Sequence, residues 1–184
     1  MNLFRCRISN NEKLTPKNLG APPSNLAKAG RLNPEWISVL YLSDNENACI
    51  QEVRGSFLDT IYIGKFILLS NVKLIDLSNF DVVTLNGDTE FLDYYLNRDV
   101  LLKIAEDFAK PTNNDFKLFN YLPLQYISEF IKSLDGKDAF DGIIYKSVID
   151  KDALNLMLFD PKIAKCTKVY SKLVTEVTYS LEKI

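Results

Sequence analysis

The sequence predicts a single α+β domain. Its length of 184 residues suits one hydrophobic core. Segments rich in β-branched and aromatic residues lie towards both ends of the chain, whereas helical periodicity dominates the middle. This order lacks the regular strand–helix alternation of a doubly wound sheet. Since no Gly-x-Gly-x-x-Gly motif follows a strand either, a Rossmann site is not indicated.

The first elements alternate between apolar strands and polar connections. Leu3 to Ile8 is predicted as a short strand. A long polar loop rich in proline and glycine then runs through Asn33, and its length alone suggests a functional role. Ile37 to Leu42 is predicted as a second strand. Asp44 or Asn45 should cap a helix that runs to about Arg54.

The remaining elements are five predicted strands and two predicted helices, each identified by its periodicity and bounded by turn residues. The strands are Thr60 to Leu69, Val72 to Leu77 and Gly142 to Tyr145, followed by the pair Asn155 to Phe159 and Lys165 to Leu181. The helices are Asp88 to Ala109, closed by Pro111, and Leu124 to Leu134, closed by Gly136.

Composition excludes several classes of function. A formal net charge of −2 provides no basic excess for binding nucleic acid. With no histidine in the chain, Ser-His-Asp and Cys-His catalysis are excluded. The three cysteines, Cys6, Cys49 and Cys166, form no Cys-x-x-Cys pair, so we expect buried thiols rather than a disulfide framework or a metal site.

Hydropathy indicates a soluble protein. The most apolar stretch, Ile61 to Val72, is interrupted by Lys65 and cannot span a bilayer. Met1 to Ser9 lacks the apolar core of a signal peptide. Together with the unpaired cysteines, this predicts a cytoplasmic location without membrane partners.

A series of short motifs is the most informative feature of the chain. In order, they are Leu19-Gly20-Ala21-Pro22-Pro23, Gly30-Arg31-Leu32-Asn33, Leu40-Tyr41-Leu42, Gln51-Glu52-Val53-Arg54, Tyr121-Leu122-Pro123-Leu124-Gln125-Tyr126, Phe140-Asp141-Gly142-Ile143-Ile144-Tyr145-Lys146-Ser147, and Asn155. Together they resemble the RES domain family. The resemblance covers about residues 4–159 of a predicted single domain over 1–184, with 160–184 as a C-terminal strand extension.

The resemblance implies a fold and a reaction. The implied fold is an ADP-ribosyltransferase-like split β-sheet core with flanking helices. The implied activity is cleavage of the nicotinamide–ribose bond of NAD by hydrolysis or phosphorolysis, with NAD as substrate, inorganic phosphate as co-substrate in the second case, and no other cofactor. A toxin role with a protein antitoxin or regulatory domain as partner is also implied. ADP-ribosyl transfer to a macromolecule and a non-catalytic NAD or ADP-ribose binding module are the alternatives.

The family pattern also implies which residues act. Its arginine, glutamate and serine correspond to Arg31, Glu52 and Ser147, with Tyr41 as the neighbouring aromatic residue. A carboxylate such as Glu52 would stabilise the oxocarbenium ion that forms as nicotinamide leaves. The fixed donors of Arg31 match phosphate oxygens. Tyr41 would stack on nicotinamide or bond the ribose, and Ser147 would hydrogen-bond near the amide or the ribose.

Other positions are less well defined by the resemblance. An early arginine is expected beside Arg31, and both Arg5 and Arg7 qualify because they share one face of the first strand. Asn33 and Asn155 are secondary candidates for contacts with NAD. The residue after Arg31 is Leu32, where toxin members often carry an aromatic residue, so this chain departs from the family pattern at that point.

Overall fold

The computed structural model describes residues 2–78, 103 and 117–178, and this part of the chain contains seven strands and two helices. The strands are β1 (Leu3–Ile8), β2 (Leu40–Ser43), β3 (Thr60–Leu68), β4 (Leu74–Asp76), β5 (Gly142–Lys146), β6 (Leu154–Leu158) and β7 (Ala164–Leu173). The helices are α1 (Glu46–Glu52) and α2 (Lys117–Ser133).

All seven strands belong to one mixed sheet in the order β4-β5-β6-β2-β1-β3-β7. The β4–β5 pair is parallel and every other pair is antiparallel. Strand β7 therefore lies at one edge of the sheet, where it pairs with β3 over almost its whole length. The architecture confirms the predicted α+β class.

The sheet is weakly joined at its centre, between β1 and β2. These strands share one register pair, Phe4 with Ser43, in the described part of the chain. Beyond it, the Arg5 guanidinium donates from Nη1 to the backbone oxygen of Tyr41 over 3.4 Å. A side chain thus reaches a carbonyl that would otherwise pair with a neighbouring strand. Beyond Phe4 and Ser43, the ladder between β1 and β2 is therefore interrupted.

Three buried clusters pack the two sides of the sheet. Alternation along the strands places Leu40 and Leu42 in one cluster, to which the long N-terminal loop contributes Leu14 and Leu19. A second cluster joins α2 to β5 and β6 through residues such as Leu124, Ile143 and Met157. A third joins α1 to β1 and β3 and includes Cys6 and Cys49. The cysteines are buried and unbridged, as expected.

Most predicted elements are present, with some differences at their ends. Strand β2 begins later than Ile37, because Ser38 Oγ donates to Pro22 O over 2.6 Å and holds this segment against the loop. Helix α2 begins at Lys117 rather than Leu124, since it accommodates Pro123 at an exposed position. Strand β7 ends at Leu173, short of the predicted Leu181.

The predicted helix from Asp88 to Ala109 lies outside the described residues apart from the single position 103. Within the described part of the chain, neither helix has the length and apolar character needed to cross a bilayer.

Candidate active site

The centre of the candidate site is the carboxylate of Glu52, the last residue of α1. Asn45 caps this helix by accepting from the backbone N–H of Ala48 over 3.1 Å, and the buried Ala48 and Cys49 anchor the helix to the sheet. Glu52 Oε1 accepts hydrogen bonds from Ser147 Oγ at 2.8 Å and Asn155 Nδ2 at 2.7 Å. Two donors from different parts of the chain therefore fix the position of the carboxylate.

The position of Glu52 is unfavourable for the helix itself. The carbonyl end of a helix carries partial negative charge, so a carboxylate in the last turn is destabilising. Its two donors, Ser147 and Asn155, are almost fully buried, at 2% and 5% exposure. Two buried hydrogen-bond donors thus converge on a carboxylate whose position destabilises its own helix. Such an arrangement indicates a functional site rather than a contact that stabilises the fold.

Ser147 is itself fixed by the turn that follows β5. Its backbone N–H donates to Ala153 O over 2.9 Å, and its Oγ accepts from the N–H of Ile149 at 3.3 Å. The hydroxyl proton is therefore directed at Glu52 while the oxygen caps the turn. Ser147 combines a structural role in this turn with a place in the site.

A rigid turn carries Arg31 to the same site. Gly30 N–H donates to Asn33 O over 2.9 Å, and Gln125 Nε2 on α2 donates to Gly30 O over 2.7 Å. A β-carbon at Gly30 would lie 2.4 Å from Asn33 Oδ1, so this position requires glycine. The Gly-Arg-x-Asn motif thus has a steric cause.

Asn33 and Tyr41 hold that turn from inside. The buried Asn33 amide donates from Nδ2 to the backbone oxygens of Lys28, Pro34 and Ile37 at 2.9–3.1 Å. Its Oδ1 accepts from the Tyr41 hydroxyl over 2.8 Å. The same hydroxyl oxygen accepts from Leu32 N–H over 3.2 Å. Both polar groups of Asn33 are therefore engaged within the protein.

Two tyrosine hydroxyls near the site stay protonated at neutral pH. Burial raises the pKa of Tyr41 above its ordinary value, and burial likewise raises the pKa of Tyr145. Neither hydroxyl is suited to act as a general base. The Tyr41 ring nevertheless lines the cavity described below.

Two arginines face the same space. The Arg31 guanidinium carbon lies 5.8 Å from the centre of the Tyr121 ring, within the range of a cation–π contact. Arg5 is half-buried, and its buried Nε has no hydrogen-bond partner in the described part of the chain. Burial, and to a smaller extent the nearby Arg7, lowers the pKa of Arg5. A bound anion would offset this desolvation.

These groups line one open cavity of about 490 Å³. Five of the eight residues expected at the site from the sequence border it: Arg5, Arg31, Tyr41, Glu52 and Asn155. Ser147 does not line the cavity, but it donates to Glu52, which does. Arg7 and Asn33 border a second cavity instead. Arg7 Nη1 donates to Asn18 O over 2.7 Å. Arg5, rather than Arg7, therefore accompanies Arg31.

The structure adds residues that the sequence did not single out. Tyr121, Tyr145 and Arg54 also border the cavity. Arg54 has a positive φ of 51°, which is uncommon for a residue with a side chain. All three belong to segments that resemble the family, but their neighbours in the sequence do not reveal that they reach the cavity. The sequence likewise did not show that Gln125 supports the Gly-Arg turn.

Cysteine chemistry is not favoured here. Cys49 borders the cavity, but its hydrogen bond with Cys6, together with burial, raises the pKa of the Cys49 thiol. A protonated thiol is a weak nucleophile. Among the residues that the structure describes, no three acidic, cysteine or histidine side chains are grouped as metal ligands would be.

The fold and the site define an α+β protein with one mixed sheet, in which a positioned carboxylate and two arginines border the same cavity. A family model described as the RES domain matches residues 2–182, nearly the whole chain. The chain therefore belongs to the RES domain family. No curated protein sequence gives a significant match.

The base of α1 offers a test of what holds the site in place. Glu46, in its first turn, accepts hydrogen bonds from Tyr170 and from Lys172 Nζ, the latter at 2.7 Å, so β7 is tied to the helix that carries Glu52. These two hydrogen bonds, that from Lys172 being the stronger influence, hold the pKa of Glu46 below its ordinary value. A lowered pKa stabilises the fold above the ordinary carboxyl range, and that contribution is lost as the pH falls through the folded-state value.

We expect Glu46→Gln to lower the free energy of unfolding at neutral pH by about 0.5–1 kcal/mol, because the pair is partly exposed. The variant should also lose less stability than wild type between neutral pH and about pH 3. Urea unfolding at a series of pH values measures both effects. Glu176→Gln, which removes an exposed carboxylate, is the control. Parallel pH dependence of wild type and Glu46→Gln would show that this contact contributes nothing.

Proposed function

We propose that this protein cleaves the nicotinamide–ribose bond of NAD. The observation that carries the proposal is the Glu52 carboxylate, held by Ser147 and Asn155 at the wall of a cavity that Arg5 and Arg31 also border. Membership of the RES domain family supports the same substrate.

The reaction suits a site without histidine. In NAD the pyridinium nitrogen is bonded to C1′ of the ribose and carries a positive charge. When this bond breaks, its electron pair goes to nitrogen, so nicotinamide leaves as a neutral molecule without a general acid. The positive charge moves to the ribose as an oxocarbenium ion. An oxygen of water then bonds to C1′ and releases one proton to solvent, which gives ADP-ribose.

Glu52 would act on the charge that develops during this step. A carboxylate beside C1′ stabilises the oxocarbenium ion more than the ground state, and this difference accelerates the reaction. The donors Ser147 and Asn155 both bind Oε1, and Oε2 accepts no hydrogen bond within the described part of the chain. Oε2 is therefore the oxygen that would face the ribose.

The arginines and aromatic rings would hold the substrate. Arg31 and Arg5 present donors suited to the pyrophosphate oxygens, and the unpartnered Arg5 Nε is the clearest vacant donor. The rings of Tyr41, Tyr121 and Tyr145 border the cavity and offer surfaces for the nicotinamide ring. Since the Tyr41 hydroxyl is engaged with Asn33, its part would be that of a ring wall.

The split between β1 and β2 supports a finer fold assignment, an ADP-ribosyltransferase-like sheet with the substrate cleft at the split. We also propose the role of a toxin that depletes NAD in the cytoplasm, restrained by a protein antitoxin or regulatory domain. Both proposals derive from the family.

Product analysis tests the reaction. The purified protein is incubated with NAD labelled in its adenylate half, with and without inorganic phosphate, and the labelled products are separated by chromatography. Hydrolysis yields ADP-ribose, whereas phosphorolysis yields ADP-ribose bearing phosphate on the anomeric carbon. Label appearing only on macromolecules of an added lysate would replace the proposal with ADP-ribosyl transfer. NAD that binds but persists would identify a binding module.

A further inference from the structure

A second cavity, of about 340 Å³, adjoins the first. Arg5 and Tyr41 border both, so they form the wall between the two spaces. This wall stands where β1 and β2 separate. The two cavities are therefore neighbours, and a group bound in the second would lie on the other side of Arg5 and Tyr41 from the cavity that Glu52 borders.

Three cationic side chains border this second cavity: Arg5, Arg7 and Lys28. No acidic residue of the described chain lines it, and Lys28 forms no salt bridge within that part. Three cations that face one space repel one another unless an anion is present. The local charge therefore indicates an anionic ligand, even though the whole chain carries a formal charge of −2.

The hydrogen bonding of Arg5 is a further indication of an anionic ligand. The side chain is half-buried, and its Nε is buried and has no hydrogen-bond partner in the described part of the chain. A buried donor without a partner is costly, because it has lost its hydration and gained nothing in return. Arg7 differs, since its Nη1 is already fixed by Asn18 O at 2.7 Å. That bond orients Arg7 and leaves its other nitrogens for a ligand.

Apolar residues form much of the rest of the cavity wall. Pro22, Leu26, Ala27, Ile37 and Val39 border the same cavity. A free inorganic anion would gain nothing from such a surface, whereas the base or ribose of a nucleotide would cover it. A cationic side and an apolar side together match a phosphate group attached to an apolar ring.

We propose that the second cavity is a phosphate site whose donors are Arg5, Arg7 and Lys28, and that the phosphate it takes is that of a nucleotide. The inference rests on the proposed function only in naming NAD as the source, through the phosphate of its adenylate half. Inorganic phosphate has the same chemistry and is the other source. Lys28 and the apolar wall would then recognise the adenylate half of NAD, which does not react.

Calorimetric titration with ADP, and separately with inorganic phosphate, tests the site without any turnover. We expect ADP to bind wild type and to bind the Lys28→Gln variant and the Arg7→Gln/Lys28→Gln variant at least about tenfold more weakly, because charge-assisted hydrogen bonds are lost. Lys162→Gln, which removes an exposed charge that borders neither cavity, should bind like wild type. Lys28→Gln is the safer variant, because Arg7 also holds Asn18.

The outcomes separate the sources and the hypotheses. Tighter binding of ADP than of phosphate identifies a nucleotide site, whereas equal binding identifies free phosphate as the ligand. ADP binding that is absent from wild type, or unchanged in both folded variants, overturns the phosphate site. Measuring nicotinamide release on the same preparations distinguishes failure of the phosphate site from failure of NAD cleavage. If the variants lose ADP binding but wild type releases no nicotinamide, the phosphate site is supported and NAD cleavage is excluded.

Discussion

Replacing Glu52 with glutamine should lower the rate of nicotinamide release from NAD by about 10²–10³-fold, the effect expected when one preorganised electrostatic contact to the transition state is lost. Glutamine keeps the shape of the side chain and an oxygen that accepts from Ser147 and Asn155. Only the negative charge is removed. The fold should remain, because Glu52 stands at the unfavourable end of α1 and its charge does not stabilise the helix.

Two further variants sharpen this test. Glu52→Ala removes the acceptor as well as the charge and should be no more active than Glu52→Gln. Glu35→Gln, an exposed carboxylate that borders neither cavity, should release nicotinamide at the wild-type rate. Steady-state rates of nicotinamide release are measured by chromatography, and circular dichroism checks that each variant is folded. A Glu52→Gln protein that keeps most of the wild-type rate would exclude Glu52 as the stabilising carboxylate.

Replacing Asn33 with alanine should lower the free energy of unfolding by about 2–4 kcal/mol, because each buried group left without a partner costs about 1–3 kcal/mol. Alanine would remove the donor shared by the backbone oxygens of Lys28, Pro34 and Ile37 and the acceptor of the Tyr41 hydroxyl. The turn that carries Arg31 would loosen as well. Urea unfolding measures the change.

A double-mutant cycle with Tyr41→Phe isolates the bond between the two side chains. We expect a coupling of about 1 kcal/mol, typical of residues in one buried network. Asn25→Ala removes an exposed amide and should leave the stability unchanged. Equal stabilities of Asn33→Ala and wild type would mean that water replaces the lost contacts. Asn33 would then not be the structural support of the turn.

Local patterns were sufficient for much of the fold. Strand β1 has the predicted bounds, because Phe4 and Cys6 alternate with Arg5 and Arg7 as a half-buried strand requires. The start of α2 was less accessible, since Pro123 normally marks a helix boundary and here lies inside the helix at an exposed position. Strand order depends on contacts between distant segments and does not follow from such patterns.

The site, like the fold, could be predicted from the sequence only in part. The family motifs point to Glu52, Ser147 and Asn155, but the bonds between them join positions 95 and 103 residues apart, which only the folded chain brings together. The motifs could not separate Arg5 from Arg7, since both lie on one strand face. The partial break between β1 and β2 separates them, because it leaves Arg5 between the two cavities and Arg7 at the second alone. The interior role of the Tyr41 hydroxyl depends on its long-range partner, Asn33.

The most direct measurement is a time course of nicotinamide release from NAD, with purified wild-type protein and Glu52→Gln at equal concentrations. The proposed function predicts steady release by wild type, with ADP-ribose or its anomeric phosphate appearing in equal amount, and little release by the variant. If folded wild-type protein left NAD intact both with and without inorganic phosphate and with lysate added, the assignment of NAD cleavage to this cavity would be contradicted.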